Sequence, residues 1–293
     1  MGSLSDIKQD MKETLTGKES SEFDDIGNVV IEMNDVTFGY SSGGTVIRNI
    51  DLKIDRPGLY CVVGPNGVGK STLIKCMSKI EEPTSGDILI NGRSIKTMRH
   101  KDVAKFIGYV PVVSKDVFSM SVLETILIGC QNRRSGDSDE SKMKAVYKVM
   151  VLLNIQDLSE KLFSELSAGQ HQKVAIARGL VQKPKVLILD EPTANLDVKY
   201  QVYVVELLRA LAESEGMIVI MISHDLNISA KYAHEVIMMS TPGVIYKVGP
   251  PEEVITKENI EKVYGVHCKV IDDEGVPVVI LGQSMMDEFG NID

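Results

Sequence analysis

The stretch GPNGVGKS, from Gly64 to Ser71, matches the pattern G-x-x-x-x-G-K-[ST], and Thr72 follows it. Glycines let the backbone curl so that successive N–H groups face a phosphate, the lysine adds a compact positive charge, and the serine hydroxyl is a ligand for Mg²⁺. We call Gly64–Ser71 the phosphate loop. The candidate phosphate-binding residues are Gly64, Pro65, Asn66, Gly67, Val68, Gly69, Lys70, Ser71 and Thr72.

The flanks of this loop favour nucleotide binding over the competing interpretation, a glycine-rich turn with a chance Gly-Lys-Ser. The apolar run Leu59–Val63 predicts a buried strand before the loop. Apolar residues at Leu73, Ile74 and Met77 predict a helix after it, whose N-terminal dipole attracts anions.

Similar short apolar runs predict an α/β fold with a mostly parallel sheet. Val186–Leu189 and Ile218–Ile222 are β-branched-rich and end at polar residues, as strands buried on both faces do. We expect an antiparallel edge near the N-terminus. The expected organisation is a flexible tail over 1–27, an ATP-binding domain over 28–250 with a helical subdomain inserted at about 113–165, and a C-terminal extension over 251–293.

Two carboxylates, Asp190 and Glu191, directly follow the run Val186–Leu189. Asp190 is the candidate Mg²⁺ ligand together with Ser71. Strand alternation places Glu191 on the other side, where it is a candidate general base for an attacking water. The competing interpretation is two acidic residues that open a loop before Pro192.

His224 lies just after the run Ile218–Ile222 and is a candidate contact to the γ-phosphate. A lone histidine at a strand end is more often structural or simply exposed. Its place one helix and one strand after Glu191 favours the functional interpretation.

Composition excludes several classes of protein. The 293 residues carry a net charge of −9, so duplex DNA is a poor first partner and we expect no nucleic acid. The apolar runs are strand-sized, no secretory signal opens the chain, and the four cysteines form no CxxC pair. A reducing cytoplasm fits these features, and any role at a membrane would need a separate pore.

Leu166-Ser-Ala-Gly-Gln170, which we call the signature segment, lies just upstream of a predicted helix before Asp190. It resembles the LSGGQ signature of ABC ATPases. Together with the motifs above, it extends the resemblance to this family over almost all of residues 28–250. Tyr40 matches the aromatic that stacks on adenine, and Asn195-Leu-Asp197 the loop at the dimer interface. The competing interpretation of the signature segment is a helix cap, which can coexist with an anion site.

The resemblance implies a P-loop ABC-type ATPase that binds ATP and Mg²⁺ as a homodimer. A second copy would present Ser167, Ala168, Gly169 and Gln170 to the γ-phosphate. It also implies a polytopic membrane permease as partner, an external substrate-binding protein acting indirectly, and a location on the inner face of the cell membrane.

Two positions depart from the family pattern. Ala168 replaces a usual glycine, and its small methyl group should be tolerated. Val112 ends Gly108-Tyr-Val-Pro-Val112, where the family usually has glutamine. Valine cannot hydrogen-bond to Mg²⁺ or water there, so we expect slowed hydrolysis with ATP binding retained.

The stretch from Val248 to Val254, with Val263–Val266, resembles the importer branch for iron chelates, haem or cobalamin. The alternative for Gly249-Pro-Pro251 is only a turn before a helix. Two other functions stay open, a soluble non-transport ABC ATPase and a nucleotide-gated binding module with weak hydrolysis.

Overall fold

A computed structural model describes residues 29–41, 43–112, 120–132, 138–194 and 196–285. The predicted tail over 1–27 therefore lies outside the described residues. The described strands are β1 (Ile31–Gly39), β2 (Thr45–Ile54), β3 (Gly58–Val63), β4 (Ser85–Ile90), β5 (Arg93–Ser94), β6 (Ile107–Val110), β7 (Val186–Leu189), β8 (Ile218–Ile222), β9 (Glu235–Ser240), β10 (Val244–Gly249), β11 (Val266–Asp273) and β12 (Val276–Ser284).

The described α-helices are α1 (Lys70–Met77), α2 (His100–Val103), α3 (Val122–Gly129), α4 (Asp139–Leu152), α5 (Ala168–Leu180), α6 (Val198–Ser214), α7 (Leu226–Tyr232), α8 (Pro251–Val254) and α9 (Lys257–Tyr264). Short 3₁₀ turns lie at Ile95–Thr97, Cys130–Asn132, Gln156–Leu158 and Phe163–Glu165. The chain forms two compact units, one over Met98–Val219 and one that joins Val30–Thr97 to the chain from Ile220 onward.

The first unit pairs β6 and β7 in parallel, from Ile107 opposite Val186 to Val110 opposite Leu189. All four residues of β7 are buried, so this apolar run forms a strand covered on both faces, as predicted. Helices α3, α4 and α5 pack on one another in the same unit. Ser138 caps α4 by accepting a hydrogen bond from the N–H of Ser141.

The second unit holds an antiparallel sheet with strand order β2-β1-β4-β5. It also holds the completely buried strand β3, which pairs in parallel with β9, while β10 pairs antiparallel to β9. Parallel pairing and an antiparallel edge confirm the predicted α/β class. The C-terminal extension contains a hairpin, in which β11 and β12 pair around a turn at Gly275.

Candidate nucleotide site

The phosphate loop joins β3 to α1, which begins at Lys70 with Gly69 as N-cap. Gly64, Gly67 and Gly69 have φ values of 149°, 77° and 100°, a region that side chains disfavour. A Cβ on Gly69 would lie 2.6 Å from Ile47 Cγ2, so this position also lacks room for a side chain. The backbone conformation of the loop therefore explains why glycines occupy these positions, as the sequence predicted.

Lys70 is held inside its own loop. Its side chain is 6% exposed, and its Nζ donates to the carbonyl oxygens of Gly64 at 2.7 Å and Pro65 at 2.8 Å. These two bonds fix the ammonium group above the curled backbone. The loop thus offers a preorganised positive charge at a helix N-terminus, which fits a polyphosphate.

His224 lies in the same unit, just after β8. The N–H of Ser223 donates to Val62 O at 3.1 Å, which ties this turn to the strand that leads into the phosphate loop. His224 is exposed, and the carboxylate of Asp225 caps α7 by accepting from the N–H groups of Asn227 and Ile228 at 2.8 and 3.0 Å. The histidine is therefore a solvent-accessible group on a firmly anchored turn.

Tyr40 follows β1, also in the second unit, and is 44% exposed. Its ring meets Phe38 edge-on, with centroids 4.9 Å apart and an interplanar angle of 90°. This contact orients the ring while much of it remains accessible. Its stacking on adenine stays a prediction.

Asp190 and Glu191 lie in the first unit, directly after β7. Asp190 is 5% exposed, and its N–H donates to Val110 O at 2.9 Å. The Tyr109 hydroxyl donates to Asp190 Oδ2 at 3.4 Å. The pKa of Tyr109 is raised, mainly by burial and then by the nearby charge of Asp190. Tyr109 thereby positions the carboxylate, a neighbour that the sequence did not identify.

The predicted reason for the orientation of Glu191 is wrong. The strand ends at Leu189, so alternation along β7 does not extend to Glu191. Glu191 instead has φ 50°, in the left-handed region that is uncommon for residues with a side chain. Its direction follows from a backbone turn at the strand end.

Ser167 in the signature segment caps α5, so the helix-cap interpretation is confirmed. The hydroxyl of Ser167 accepts from the N–H of Gln170 at 3.3 Å, and Gln170 Oε1 accepts from the N–H of Ser167 at 2.9 Å. Leu166 is buried, whereas Ser167 and Ala168 are exposed. The extra methyl group of Ala168 is therefore accommodated at the surface.

Val112 lies two residues after β6 and is 45% exposed.

Asn195, in the loop expected at a dimer interface, lies outside the described residues. In the same loop, Asp197 caps α6 by accepting from the N–H of Tyr200 at 3.1 Å.

The two units thus carry different parts of the predicted chemistry. The second contains the phosphate loop, Tyr40 and His224, and the first contains Asp190, Glu191 and the signature segment. The oxygen donors of Ser71 and Asp190 are the hard ligands that Mg²⁺ prefers, so the residue types fit this ion.

A phosphate loop between a buried strand and a helix, within an α/β fold, defines the P-loop nucleoside triphosphatases. Residues 47–194 match the family described as ABC transporter. The chain belongs to this family, and it is an ABC-type ATPase that binds ATP.

Known relatives cover most of the chain. An uncharacterised ABC transporter ATP-binding protein of Methanocaldococcus jannaschii is 38% identical over 86% of this chain and 98% of its own length. The ferric enterobactin transport ATP-binding protein of Escherichia coli is 34% identical over 84% and 91%. A dimeric ATP-binding cassette bound to ADP and Pi is 25% identical, with a TM-score of 0.68, over 75% and 98%.

No helix within the described part of the chain is long and apolar enough to span a membrane.

Proposed function

We propose that this chain is the ATP-hydrolysing subunit of an importer that takes up a metal chelate through a separate permease. The observation that carries the proposal is similarity to import subunits along most of the chain. The relative from Escherichia coli is named for ferric enterobactin transport, and one from Halobacterium salinarum, 30% identical, for cobalamin import. The chelate class covers iron-siderophore, haem and cobalamin.

The phosphate loop would bind the triphosphate, with Lys70 against the β- and γ-phosphates and Tyr40 against adenine. Mg²⁺, held by Ser71 and Asp190, would neutralise charge on the phosphates. Glu191 would take a proton from the attacking water as its oxygen bonds to the γ-phosphorus. The bond to the bridging oxygen then breaks, giving ADP and phosphate, while His224 contacts the γ-phosphate.

Two copies would enclose ATP head to tail, so that Ser167 and Gly169 of one copy face the γ-phosphate held by the other. The exposed cap at Ser167 supports this arrangement, because an accessible helix N-terminus is an anion site. The known dimeric cassette with ADP and Pi provides a precedent.

A hollow on the helices of the first unit is our candidate for the surface that meets the permease. It has a volume of about 510 Å³ and includes Met143 and Tyr147, which are 44% and 63% exposed, beside Leu123 and Met150. Charged residues also line the hollow: Glu140, Lys144, Lys148 and Glu160. Exposed apolar side chains beside charged ones are typical of protein–protein contacts, and we assign this surface to a cytoplasmic segment of the permease. The chain would then work on the inner face of the membrane, with an external substrate-binding protein delivering the chelate.

Co-purification from cell membranes tests the transport role. We expect the chain to remain with a polytopic membrane protein, and Tyr147→Ala to release it. Ile80→Ala is the matched control, because Ile80 is an exposed apolar residue of the second unit. If the wild-type chain has no membrane partner but still hydrolyses ATP, the soluble non-transport alternative replaces the importer.

Val112 favours a second candidate, a nucleotide-gated binding module with weak hydrolysis, because its side chain cannot hydrogen-bond to water or Mg²⁺. Steady-state MgATP hydrolysis by the purified chain and its assembled complex separates the two. Turnover abolished by Glu191→Gln supports the transport motor. ATP binding without turnover, even in the complex, supports the binding module.

A further inference from the structure

A buried histidine directly follows the signature segment. His171 is the fourth residue of α5, comes after Gln170, and is 9% exposed. Its Nε2 atom lies 2.5 Å from Phe163 O. A backbone carbonyl can only accept a hydrogen bond, so Nε2 carries the proton and donates it. The ring of His171 thus reaches back across the signature segment to the residues that precede it.

Phe163, the acceptor of this bond, is fixed to another part of the first unit. Its N–H donates to Met120 O at 2.9 Å, and Leu162 beside it forms an antiparallel bridge with Ser121, the N-cap of α3. Phe163 is 8% exposed, and its ring lies against that of His171, with centroids 4.5 Å apart and planes inclined by 30°. The carbonyl that His171 binds therefore belongs to a well-anchored residue.

The same carbonyl also holds the first residue of the signature segment. The N–H of Leu166 donates to Phe163 O at 3.3 Å, and the N–H of His171 donates to Ser167 O at 2.8 Å. The bond from Nε2 to Phe163 O closes residues 163–171 into a short loop that contains the whole signature segment. Closing a short loop restricts the conformations of the residues within it, here including Ser167.

We propose that His171 is a positioning residue of the signature segment. Its hydrogen bond to Phe163 O keeps the cap at Ser167 in the orientation that a second copy would meet. His171 acts through this backbone contact and not on ATP itself. The consequence for ATP-dependent dimerisation rests on the proposed role of Ser167 towards the γ-phosphate of the other copy.

Two variants of His171 separate its hydrogen bond from its ring packing. His171→Phe keeps an aromatic ring against Phe163 and loses the donor. His171→Gln loses the ring and keeps an amide N–H at about the reach of Nε2. Tyr203→Phe is the matched control, because the Tyr203 hydroxyl also donates to a backbone carbonyl of the first unit, Leu152 O, at 3.2 Å.

The first test is hydrogen exchange of the full-length protein without nucleotide, read from peptides that cover residues 163–171. Exchange of these amides should be about three- to tenfold faster in His171→Phe than in the wild type, the value of one hydrogen bond. His171→Gln and Tyr203→Phe should exchange at the wild-type rate in this segment. A histidine that only fills the core would give the opposite order, with His171→Gln the faster of the two His171 variants.

The second test measures the dimer that the Glu191→Gln protein should form with MgATP. In that protein His171→Phe should weaken the dimer about tenfold, because each of the two copies loses a hydrogen bond beside its signature segment. His171→Gln should restore the dimer. The Kd for ATP should change less than about twofold in each variant, because the phosphate loop lies in the other unit.

The positioning role is wrong if the segment exchanges no faster in His171→Phe than in Tyr203→Phe, or if His171→Gln exchanges as fast as His171→Phe. Ser167→Ala, added to the Glu191→Gln protein, separates this from failure of the proposed dimer. If Ser167→Ala weakens the dimer and His171→Phe does not, the positioning role is again wrong. If neither change weakens it, the role of the signature segment towards a second copy fails, and the exchange rates alone decide whether His171 positions the segment.

Discussion

The phosphate loop and the signature segment both lie at helix N-termini, yet they are completed in different ways. In the loop, a buried lysine bonds to two carbonyls of the same loop, and glycines shape the backbone within one unit. In the signature segment, the side chains of Ser167 and Gln170 each accept from the other residue's N–H, and Ser167 is exposed. The loop is held by its own hydrogen bonds, whereas the signature segment exposes a helix N-terminus, where we propose that a second copy binds.

The largest expected effect comes from Glu191→Gln, which separates turnover from binding. Removing a general base should lower hydrolysis by roughly 100-fold or more, because general-base catalysis contributes about 10²–10⁴-fold. ATP binding should remain, because the phosphate loop lies in the other unit and keeps its lysine. Single-turnover hydrolysis with labelled ATP measures the first quantity and equilibrium binding the second. If the Glu191→Gln protein hydrolyses ATP at the wild-type rate, Glu191 is not the general base.

Lys70→Ala should weaken ATP binding about 10- to 100-fold, since one charged group that hydrogen-bonds to the phosphates is lost. Lys75→Ala, at the last turn of the same helix, is the matched control and should bind ATP normally. Isothermal titration gives both constants. Equal affinities in the two variants would mean that the buried lysine has only a structural role in the loop.

Ser167→Ala and Ser138→Ala compare two serine caps of the first unit. Each serine accepts from the N–H three residues on, at 3.3 and 3.2 Å, so each change should cost about 1 kcal/mol of stability. Only Ser167→Ala should also lower ATP hydrolysis, by about tenfold, because its hydroxyl is expected to meet the γ-phosphate of the second copy. Chemical denaturation and steady-state hydrolysis measure the two effects. Equal rates of ATP hydrolysis in both variants would mean that Ser167 acts only as a helix cap.

The smallest expected effect is Val112→Gln, which should raise the hydrolysis rate about threefold by supplying one hydrogen bond near the reacting water. Val112→Ala shortens the side chain without adding an amide and is expected to leave the rate unchanged. Hydrolysis rates at saturating MgATP make the comparison. An unchanged rate in Val112→Gln would show that the missing glutamine does not limit turnover.

Features that depend on residues adjacent in the chain could be predicted from the sequence. The bounds of β7 and β8 match the predicted runs, and the phosphate loop follows from glycine chemistry alone. The orientation of Glu191 could not be predicted, because it depends on where β7 ends and on a left-handed turn. Tyr109 was missed for another reason: its partner, Asp190, is distant in sequence and no local pattern marks such a pair.

ATP-dependent association of the Glu191→Gln protein tests the central claim, that a second copy completes the nucleotide site. Sedimentation velocity with MgATP should give a dimer, and without nucleotide a monomer. Adding Ser167→Ala to the same protein should weaken that dimer about tenfold, in keeping with the loss of one hydrogen bond to a charged phosphate. A mass that does not change with ATP would contradict the account.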